Sequence, residues 1–270
     1  MDLRIEIAGE SVVCKQNGRQ ALSVPLKDFL RHLVEQSDWP TSGEAIPEGV
    51  RHICGRGDAT VLVIEEKPQL RVVSWLAENS PSPYGPRAKY RQARLAFPYI
   101  VVIVALRDGA LTGYQQCFYR TAPLAHLNDS LFYPNLPNVA KGYKQECWLC
   151  LANLRQDLSP LSLEAKVKQI RTHFWGAGFN RSSEEHEGMS YWQAMRSMNL
   201  DPRLQNLIAW EQASKKEPTF PLTVNWKPVG KTVGVVVEEM LSAVAPAPCA
   251  PTVQGLVQLL SLCAGEKASK

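Results

Sequence analysis

The stretch Tyr99–Arg120, YIVVIVALRDGALTGYQQCFYR, decides how we expect this chain to fold. Its first part, Tyr99 to Leu106, is a dense apolar run rich in β-branched residues, which is typical of a strand. The dipeptide Asp108-Gly109 is the strongest short sequence signal for a tight hairpin turn. Thr112 to Arg120 then returns as a second strand. The stretch therefore predicts an antiparallel β-hairpin.

A second pair of strands is predicted just before this hairpin. Residues Thr60 to Ile64 are β-branched and apolar, Glu66-Lys67-Pro68-Gln69 interrupts them, and Leu70 to Leu76 resumes an extended pattern. Two such runs around a short polar break favour a hairpin. Together the four runs predict a four-stranded antiparallel meander. At the N-terminus, Leu3 to Ile7 and Ser11 to Cys14 predict a short strand pair.

Helical periodicity flanks the meander on both sides. Residues Pro25 to Gln36 place apolar side chains at i, i+3, i+4, i+7 and i+8, which predicts an amphipathic helix. After a long irregular segment, a capping residue followed by proline predicts helices that begin at Ser159-Pro160 and Asp201-Pro202, and a last helix is predicted to begin at Pro251-Thr252. The order of helix, meander, irregular loop and helices indicates an α+β protein.

Composition excludes several functional classes. The 30 Lys and Arg residues nearly balance the 26 Asp and Glu residues, giving a formal net charge of +4, so nucleic acid is not an expected partner. The start, Met1 to Glu6, lacks the apolar core of a secretory signal. The longest apolar run is far short of the roughly 20 residues that span a bilayer, so no membrane is expected. Seven cysteines without framework spacing favour reduced thiols and a cytoplasmic location.

The irregular segment Thr121 to Leu154 has the composition of a functional loop. It contains two Pro-Asn dipeptides and then the pair Cys147 and Cys150, and long ordered loops without secondary structure are usually functional. The Cys-x-x-Cys spacing is half of a structural zinc site, which Cys117 with His126 or His173 could complete, but no second such motif is present. A thioredoxin-like redox pair is a weaker alternative, because that motif belongs in a βαβ context.

Nucleophilic catalysis by a cysteine explains this segment better. A thiol can pass an acyl group from one thioester to another without a metal or cofactor. Such exchange needs a hydrogen-bond donor where the oxyanion develops, and Asn138, nine positions before Cys147, could supply it. The alternative for Asn138 is a local role, since Pro-Asn is also a common turn former.

The chain resembles the ubiquitin-conjugating enzyme family at this point. In that family a His-Pro-Asn motif precedes the active cysteine, and Leu136-Pro137-Asn138-Val139 with Cys147-Trp148-Leu149 looks like a variant of it. The stretch Leu131 to Leu149, with Thr121 to Leu124 before it and Phe174 to Phe179 after it, is similar to divergent bacterial members, which include the B protein of plasmid-associated PRTRC clusters. Here the histidine is replaced by Leu136 in one register or by Tyr133 in the other, and the gap from Asn138 to the cysteine is one residue longer.

The resemblance implies a fold, an activity and a set of partners. The fold would be UBC-like, and Cys147 would accept a ubiquitin-like modifier from an adenylating activating enzyme as a thioester and pass it to an amine of a target protein, with Asn138 stabilising the oxyanion. Cys147 is favoured by the apolar pair that follows it, and Cys150 is the alternative nucleophile. No cofactor is implied, because the activating enzyme consumes the ATP. Related bacterial operons include antiphage systems and plasmid-maintenance clusters.

The expected organisation follows from this resemblance. Residues 1–22 would be a strand extension, 23–187 the UBC-like catalytic domain, and 188–270 a helical extension packed on the core. The first helix and the basic strip Arg87 to Arg94 are candidate surfaces for the activating enzyme, although a charge run in an insertion is often merely solvated. A non-catalytic adaptor of the same fold and a zinc-stabilised interaction module are the alternative functions.

Overall fold

The computed structural model describes residues 3–29, 46–83, 85–142, 145–151, 154, 158–181, 183–184 and 188–245. The chain divides into two compact units. The first comprises Met1–Gly43, Arg56–Asp58 and Ala245–Lys270, and the second comprises Glu44–Gly55 and Ala59–Val244. The expected domain boundaries after residues 22 and 187 fall inside these units.

The first unit contains a small antiparallel sheet. Strands β1 (Leu3–Ala8), β2 (Ser11–Gln16) and β3 (Arg19–Pro25) pair in sequence order, so the predicted strand pair is confirmed and gains a third member. Its core is formed by Val12, Cys14, Val24 and Phe29. Residues 26–29 are helical, as predicted. The rest of the predicted helix, residues 30–36, lies outside the described residues, as does the helix expected at Pro251.

The second unit is built on a curled antiparallel sheet. Its strands are β4 (Val50–Arg56), β5 (Ala59–Glu66), β8 (Tyr99–Arg107), β9 (Ala110–Arg120), β10 (Ser130–Phe132), β11 (Val139–Gly142), β12 (Gln145–Leu149) and β13 (Pro228–Thr232). The main path runs β11-β12-β9-β8-β5-β4, and β10 pairs with both β9 and β13. Strands β6 (Gln69–Leu76) and β7 (Tyr90–Phe97) form a separate two-stranded sheet.

The predicted hairpin at Asp108-Gly109 is confirmed. Strands β8 and β9 pair antiparallel, with Arg107 opposite Ala110 at the turn. Asp108 and Gly109 have φ angles of 49° and 80°, the left-handed conformation that the tightest hairpin turns require. A Cβ atom at Gly109 would lie 2.6 Å from the Cα of Ser159. Glycine is therefore needed here for its lack of a side chain as well as for its φ angle.

The predicted hairpin between β5 and β6 is wrong. Strand β5 lies between β4 and β8, whereas β6 pairs with β7. The apolar run of β5 marks a buried strand but does not specify its partner, and the β6–β7 pair is inserted between β5 and its partner β8. The four-stranded meander is therefore β4, β5, β8 and β9, and the β6–β7 hairpin is inserted in its middle. The basic strip Arg87 to Arg94 extends into β7, which begins at Tyr90.

Four helices of the described chain pack on these sheets: α1 (Leu163–Gly176), α2 (Tyr191–Ser197), α3 (Leu207–Lys216) and α4 (Val233–Val244). Helix α1 buries Val167, Ile170 and Phe174, the face that its spacing predicts. It begins slightly later than predicted, because the side chain of Ser162 accepts a hydrogen bond from the Ala165 N–H and caps the helix.

The helix predicted at Asp201-Pro202 is divided in two. Residues Pro202–Leu204 form a short 3-10 turn, and Asn206 then caps α3. This break rotates the chain, so Ile208 is 63% exposed instead of joining Leu204 in the core.

An aromatic cluster joins the β6–β7 sheet to the helices. The ring of Trp75 lies 5.0 Å from that of Trp192 and 5.8 Å from that of Phe179. Trp210, on α3, packs on the same cluster and donates a hydrogen bond from Nε1 to the Ala96 carbonyl at 3.0 Å. The protein is thus a mixed α/β fold in which helices and the inserted hairpin share one aromatic core.

Candidate functional site

The hairpin formed by β11 and β12 brings Asn138 and Cys150 together. Val139 pairs with Leu149, and Ala140 pairs with Trp148. One residue further along the same register, the N–H of Cys150 donates to the Asn138 carbonyl at 2.9 Å. Side chains of directly opposite residues leave the same face of a sheet, with Cβ atoms about 4.5–5.5 Å apart. Asn138 is therefore the cross-strand neighbour of Cys150.

Cys147 lies on the opposite face of β12. Its side chain is fully buried, and its backbone N–H donates to Oε1 of Gln116 at 3.1 Å. Burial, reinforced by the nearby Cys117 and Glu146, holds the pKa of the Cys147 thiol well above its ordinary value. Since the thiolate is the reactive form, this sulfur is both covered and protonated at neutral pH.

Cys150 is the more accessible of the two sulfurs. It is partly exposed, and along β12 the exposed and buried residues alternate so that Glu146, Trp148 and Cys150 share the less buried face. The alternation follows from the two-residue period of a strand. A reactant that approaches this face of the hairpin can reach Cys150 but not Cys147.

Asn138 carries a buried amide that is not used by the scaffold. It is 3% exposed, and neither its Nδ2 nor its Oδ1 has a hydrogen-bond partner among the residues that the structure describes. A turn-capping asparagine would bond to nearby backbone groups with its side chain, and in this part of the chain Asn138 forms no such bond. A buried donor without a partner is uncommon in folded proteins. Among the described residues the Asn138 amide thus has hydrogen-bonding capacity that is not used, in a position where the fold covers both of its polar atoms.

The N-cap and first residues of α2 fix this hairpin at the β11 side. The Trp192 N–H donates to the Leu136 carbonyl at 3.0 Å, and Ser190 forms an isolated antiparallel bridge with Ala140. The hydroxyl of Tyr191 donates to the Glu146 carbonyl at 2.7 Å. The sequence analysis missed all three residues, because they lie far along the chain and carry no motif of their own.

A groove of about 790 Å³ adjoins the site through Pro137, the residue before Asn138. Its floor includes Trp75, Phe179 and Trp192, and its rim includes Arg181 and the exposed Ile208. The groove therefore joins the aromatic core to the loop that presents Asn138.

The basic strip Arg87 to Arg94 is partly engaged within the chain. Arg91 forms an ion pair with Glu211 at 2.7 Å, and the Arg94 N–H donates to the same carboxylate. Arg87 and Lys89 remain exposed. Arg91 thus uses its charge to fasten α3 to β7, whereas Arg94 contributes its backbone N–H and keeps an exposed side chain.

The described residues form neither a metal-ligand cluster nor a membrane-spanning helix. Within the described ranges, no three His, Cys, Asp or Glu side chains gather as a metal site would require, so Cys117, His126 and His173 do not join Cys147 and Cys150 there. None of the helices in the described ranges is both long enough and apolar enough to cross a bilayer.

Comparison with known proteins gives no further guidance. No protein-family model matches the chain, and no curated protein or solved structure matches it.

Proposed function

We propose that this chain is a ubiquitin-conjugating-like enzyme in which Cys150 carries the modifier as a thioester. The observation that carries the proposal is the pairing of a partly exposed cysteine with a buried asparagine amide that has no partner among the described residues. An acyl-transfer site needs a nucleophile and an oxyanion donor side by side. The resemblance of the Pro137-Asn138 segment to the His-Pro-Asn motif supports the same function.

The order of the elements also supports the proposal. The meander of β4, β5, β8 and β9 is followed by the Pro-Asn loop, the cysteine-bearing hairpin and then α1. This is the order expected for a UBC-like fold, with the β6–β7 hairpin as an insertion. The proposed partners are a ubiquitin-like modifier, an adenylating activating enzyme and a target protein.

The difference in burial favours Cys150 over Cys147 as the nucleophile in this proposal. The sequence favours Cys147, but that thiol is fully covered and its pKa is raised by burial. Strand alternation also directs it away from the face that Asn138 shares with Cys150. We therefore assign the nucleophile to Cys150 and retain Asn138 as the oxyanion donor.

The first step is an exchange of thioesters. The Cys150 thiolate attacks the carbonyl carbon that joins the modifier's C-terminus to a cysteine of the activating enzyme. A new C–S bond forms, the C–S bond to the activating enzyme breaks, and its departing thiolate takes up a proton from solvent in place of the one that Cys150 released. Asn138 Nδ2 donates a hydrogen bond to the oxyanion of the tetrahedral intermediate.

The second step forms the product. A neutral amine of the target attacks the same carbonyl carbon, a C–N bond forms, and the C–S bond to Cys150 breaks. The proton lost by the amine balances the proton that the Cys150 thiolate regains. Because both steps develop negative charge on the same oxygen, one donor at Asn138 serves both.

A gel assay tests the proposal. The protein is mixed with ATP and with the modifier and activating enzyme encoded by its neighbouring genes, and the products are separated without reductant. We expect an adduct that thiols cleave in the wild type. In Cys150→Ser the adduct should become an oxygen ester that resists thiols, whereas Cys117→Ser, the matched buried control, should behave as the wild type. An adduct that depends on Cys147 and not on Cys150 would assign the other sulfur.

A non-catalytic adaptor of the same fold is the second candidate, and the burial of Cys147 favours it. An adaptor would bind the modifier or the activating enzyme without forming a covalent adduct. Absence of any adduct in the wild type, with binding of either partner retained in sedimentation velocity, would support the adaptor and exclude the enzyme.

A further inference from the structure

Two tyrosines hold the β11–β12 hairpin through one glutamate. The Tyr133 hydroxyl donates to Oε1 of Glu146 at 2.7 Å, and the Tyr191 hydroxyl donates to the Glu146 backbone carbonyl at 2.7 Å. The two tyrosine rings stack, with centroids 4.9 Å apart and an interplanar angle of 28°. We call Tyr133, Glu146 and Tyr191 the tyrosine clasp.

The clasp joins three segments that are distant in sequence. Tyr133 lies at the start of the loop that ends in Asn138, Glu146 lies on β12 ahead of Cys150, and Tyr191 begins α2. The Tyr133 N–H is itself bonded to the Lys227 carbonyl at 3.0 Å, which anchors this end of the loop beside β13. The clasp therefore fixes the loop that presents the amide relative to the strand that presents the sulfur.

The clasp hydroxyls are stable donors. Burial and the adjacent Glu146 raise the pKa of Tyr133, and burial, the adjacent Cys147 thiol and Glu146 raise the pKa of Tyr191, so both O–H groups stay protonated at any physiological pH. The stacked ring pair also stabilises the contact beyond the area that it buries. The hydrogen bonds and the ring stack of the tyrosine clasp should therefore both be maintained at physiological pH.

We propose that Tyr133 and Tyr191 are positioning residues for the Asn138–Cys150 pair, an inference that rests on the function proposed above. They act through Glu146 and not on the reacting atoms. Glu146 is four residues before Cys150 on an extended strand, which places it about 13 Å away at 3.3 Å per residue. A rate effect of the clasp must therefore arise from geometry.

The kinetic test compares matched tyrosine variants. In the double variant Tyr133→Phe and Tyr191→Phe, which keeps the ring stack, we expect the maximal rate of thioester formation to fall about tenfold, as loss of alignment costs catalysis. The concentration of charged activating enzyme at half-maximal rate should stay unchanged. Tyr99→Phe, on β8, is the control and should match the wild type. Glu146→Gln should retain at least half of the wild-type rate, because its amide oxygen still accepts from Tyr133.

Hydrogen exchange separates failure of the clasp from failure of the proposed function. The Cys150 amide is bonded to the Asn138 carbonyl, and we expect its protection factor to fall at least tenfold in the double variant but not in Tyr99→Phe. If the wild type forms no thioester while this protection falls, the proposed function is wrong and the clasp stands. Protection in the double variant equal to that in Tyr99→Phe would overturn the clasp, as would equal rates of thioester formation when the wild type forms the thioester.

Discussion

Buried polar groups are treated in opposite ways at two places in the second unit. At the end of β5, Glu65 and Glu66 are each only 2% exposed. Glu65 accepts from Nε and Nη2 of Arg51 at 2.8 and 2.6 Å and from the Leu124 N–H. Glu66 is paired with Arg171 and accepts from Nε1 of Trp175 at 3.2 Å. Both carboxylates are thus bonded on both oxygens.

The loop from Asn135 to Asn138 shows the reverse. Both asparagines are buried, and among the described residues neither side-chain amide has a partner. Leaving a buried polar group unpaired costs about 1–3 kcal/mol. The fold avoids that cost at β5 and accepts it in the loop beside Cys150. Buried polar residues therefore divide into those that bond within the described chain and those whose polar atoms have no described partner.

Removing a buried carboxylate that has hydrogen-bond partners should have the largest effect on stability. In Glu65→Ala the Arg51 guanidinium and the Leu124 N–H lose their common partner, and we expect a loss of about 3 kcal/mol in the free energy of unfolding. Urea denaturation measures this. Glu6→Ala, which breaks the exposed ion pair between Glu6 and Lys15, is the control and should cost less than about 1 kcal/mol. Equal losses in both variants would contradict the comparison.

Removing an unpaired group should affect activity instead. We expect Asn138→Ala to slow thioester formation about 100-fold, equivalent to about 2.7 kcal/mol of transition-state stabilisation. Its free energy of unfolding should change by less than about 1 kcal/mol, since no hydrogen bond to a described residue is lost. A strongly destabilised variant with normal activity would make Asn138 a structural residue.

Two buried amides test the comparison directly. Gln145 accepts from the Gln115 N–H at 2.9 Å and donates to the Gly113 carbonyl at 3.2 Å, whereas the Asn135 amide has no described partner. We expect Gln145→Met to cost about 2 kcal/mol, because it leaves a buried N–H unpaired, and Asn135→Leu to cost less than about 1 kcal/mol. Thermal or urea unfolding of both variants measures these losses. A larger loss of stability in Asn135→Leu than in Gln145→Met would refute the distinction between paired and unpaired buried amides.

The buried thiols of Cys117 and Cys147 should make the stability of the protein depend on pH. Burial raises the pKa of Cys117 and Cys147 above that of an unfolded thiol. As pH rises above about 9, the unfolded chain loses these protons while the folded chain keeps them, so stability falls by up to about 1.4 kcal/mol per pH unit for each thiol.

Unfolding free energies at pH 8, 9 and 10 measure this slope. Tyrosines and lysines also titrate in this range, so the informative quantity is the difference between chains. The double variant Cys117→Ala and Cys147→Ala should lose less stability between pH 8 and 10 than the wild type. Identical slopes would show that the two thiols ionise as easily when folded as when unfolded.

The parts of the fold that depend on local sequence were predictable. The turn at Asp108-Gly109 and the buried face of α1 follow from neighbouring residues, since turn geometry and helical period are local properties. The partner of β5 was not predictable in this way. Its apolar run identifies a buried strand, but nothing within it distinguishes the adjacent β6 from the more distant β8.

The same distinction between local sequence and tertiary structure applies to the candidate site. Asn138, Cys147 and Cys150 were found because the Pro-Asn and Cys-x-x-Cys motifs lie close together in sequence. The choice between the sulfurs depends on which face of β12 each one occupies, and the sequence analysis treated that segment as an irregular loop. The register that pairs Val139 with Leu149 supplies the missing information. Tyr191 becomes part of the site only through tertiary packing, which brings it to Glu146.

The inserted β6–β7 hairpin has a consequence for the order of folding. Strands β5 and β8 flank residues 67–98, so their pairing must close a long loop, whose entropic cost grows with its length. A local hairpin forms within about 1–10 μs, and β6 and β7 pair along their full length within that loop. We expect the insertion to fold first and to bring the two central strands within reach, so that a segment outside the main sheet hastens its assembly.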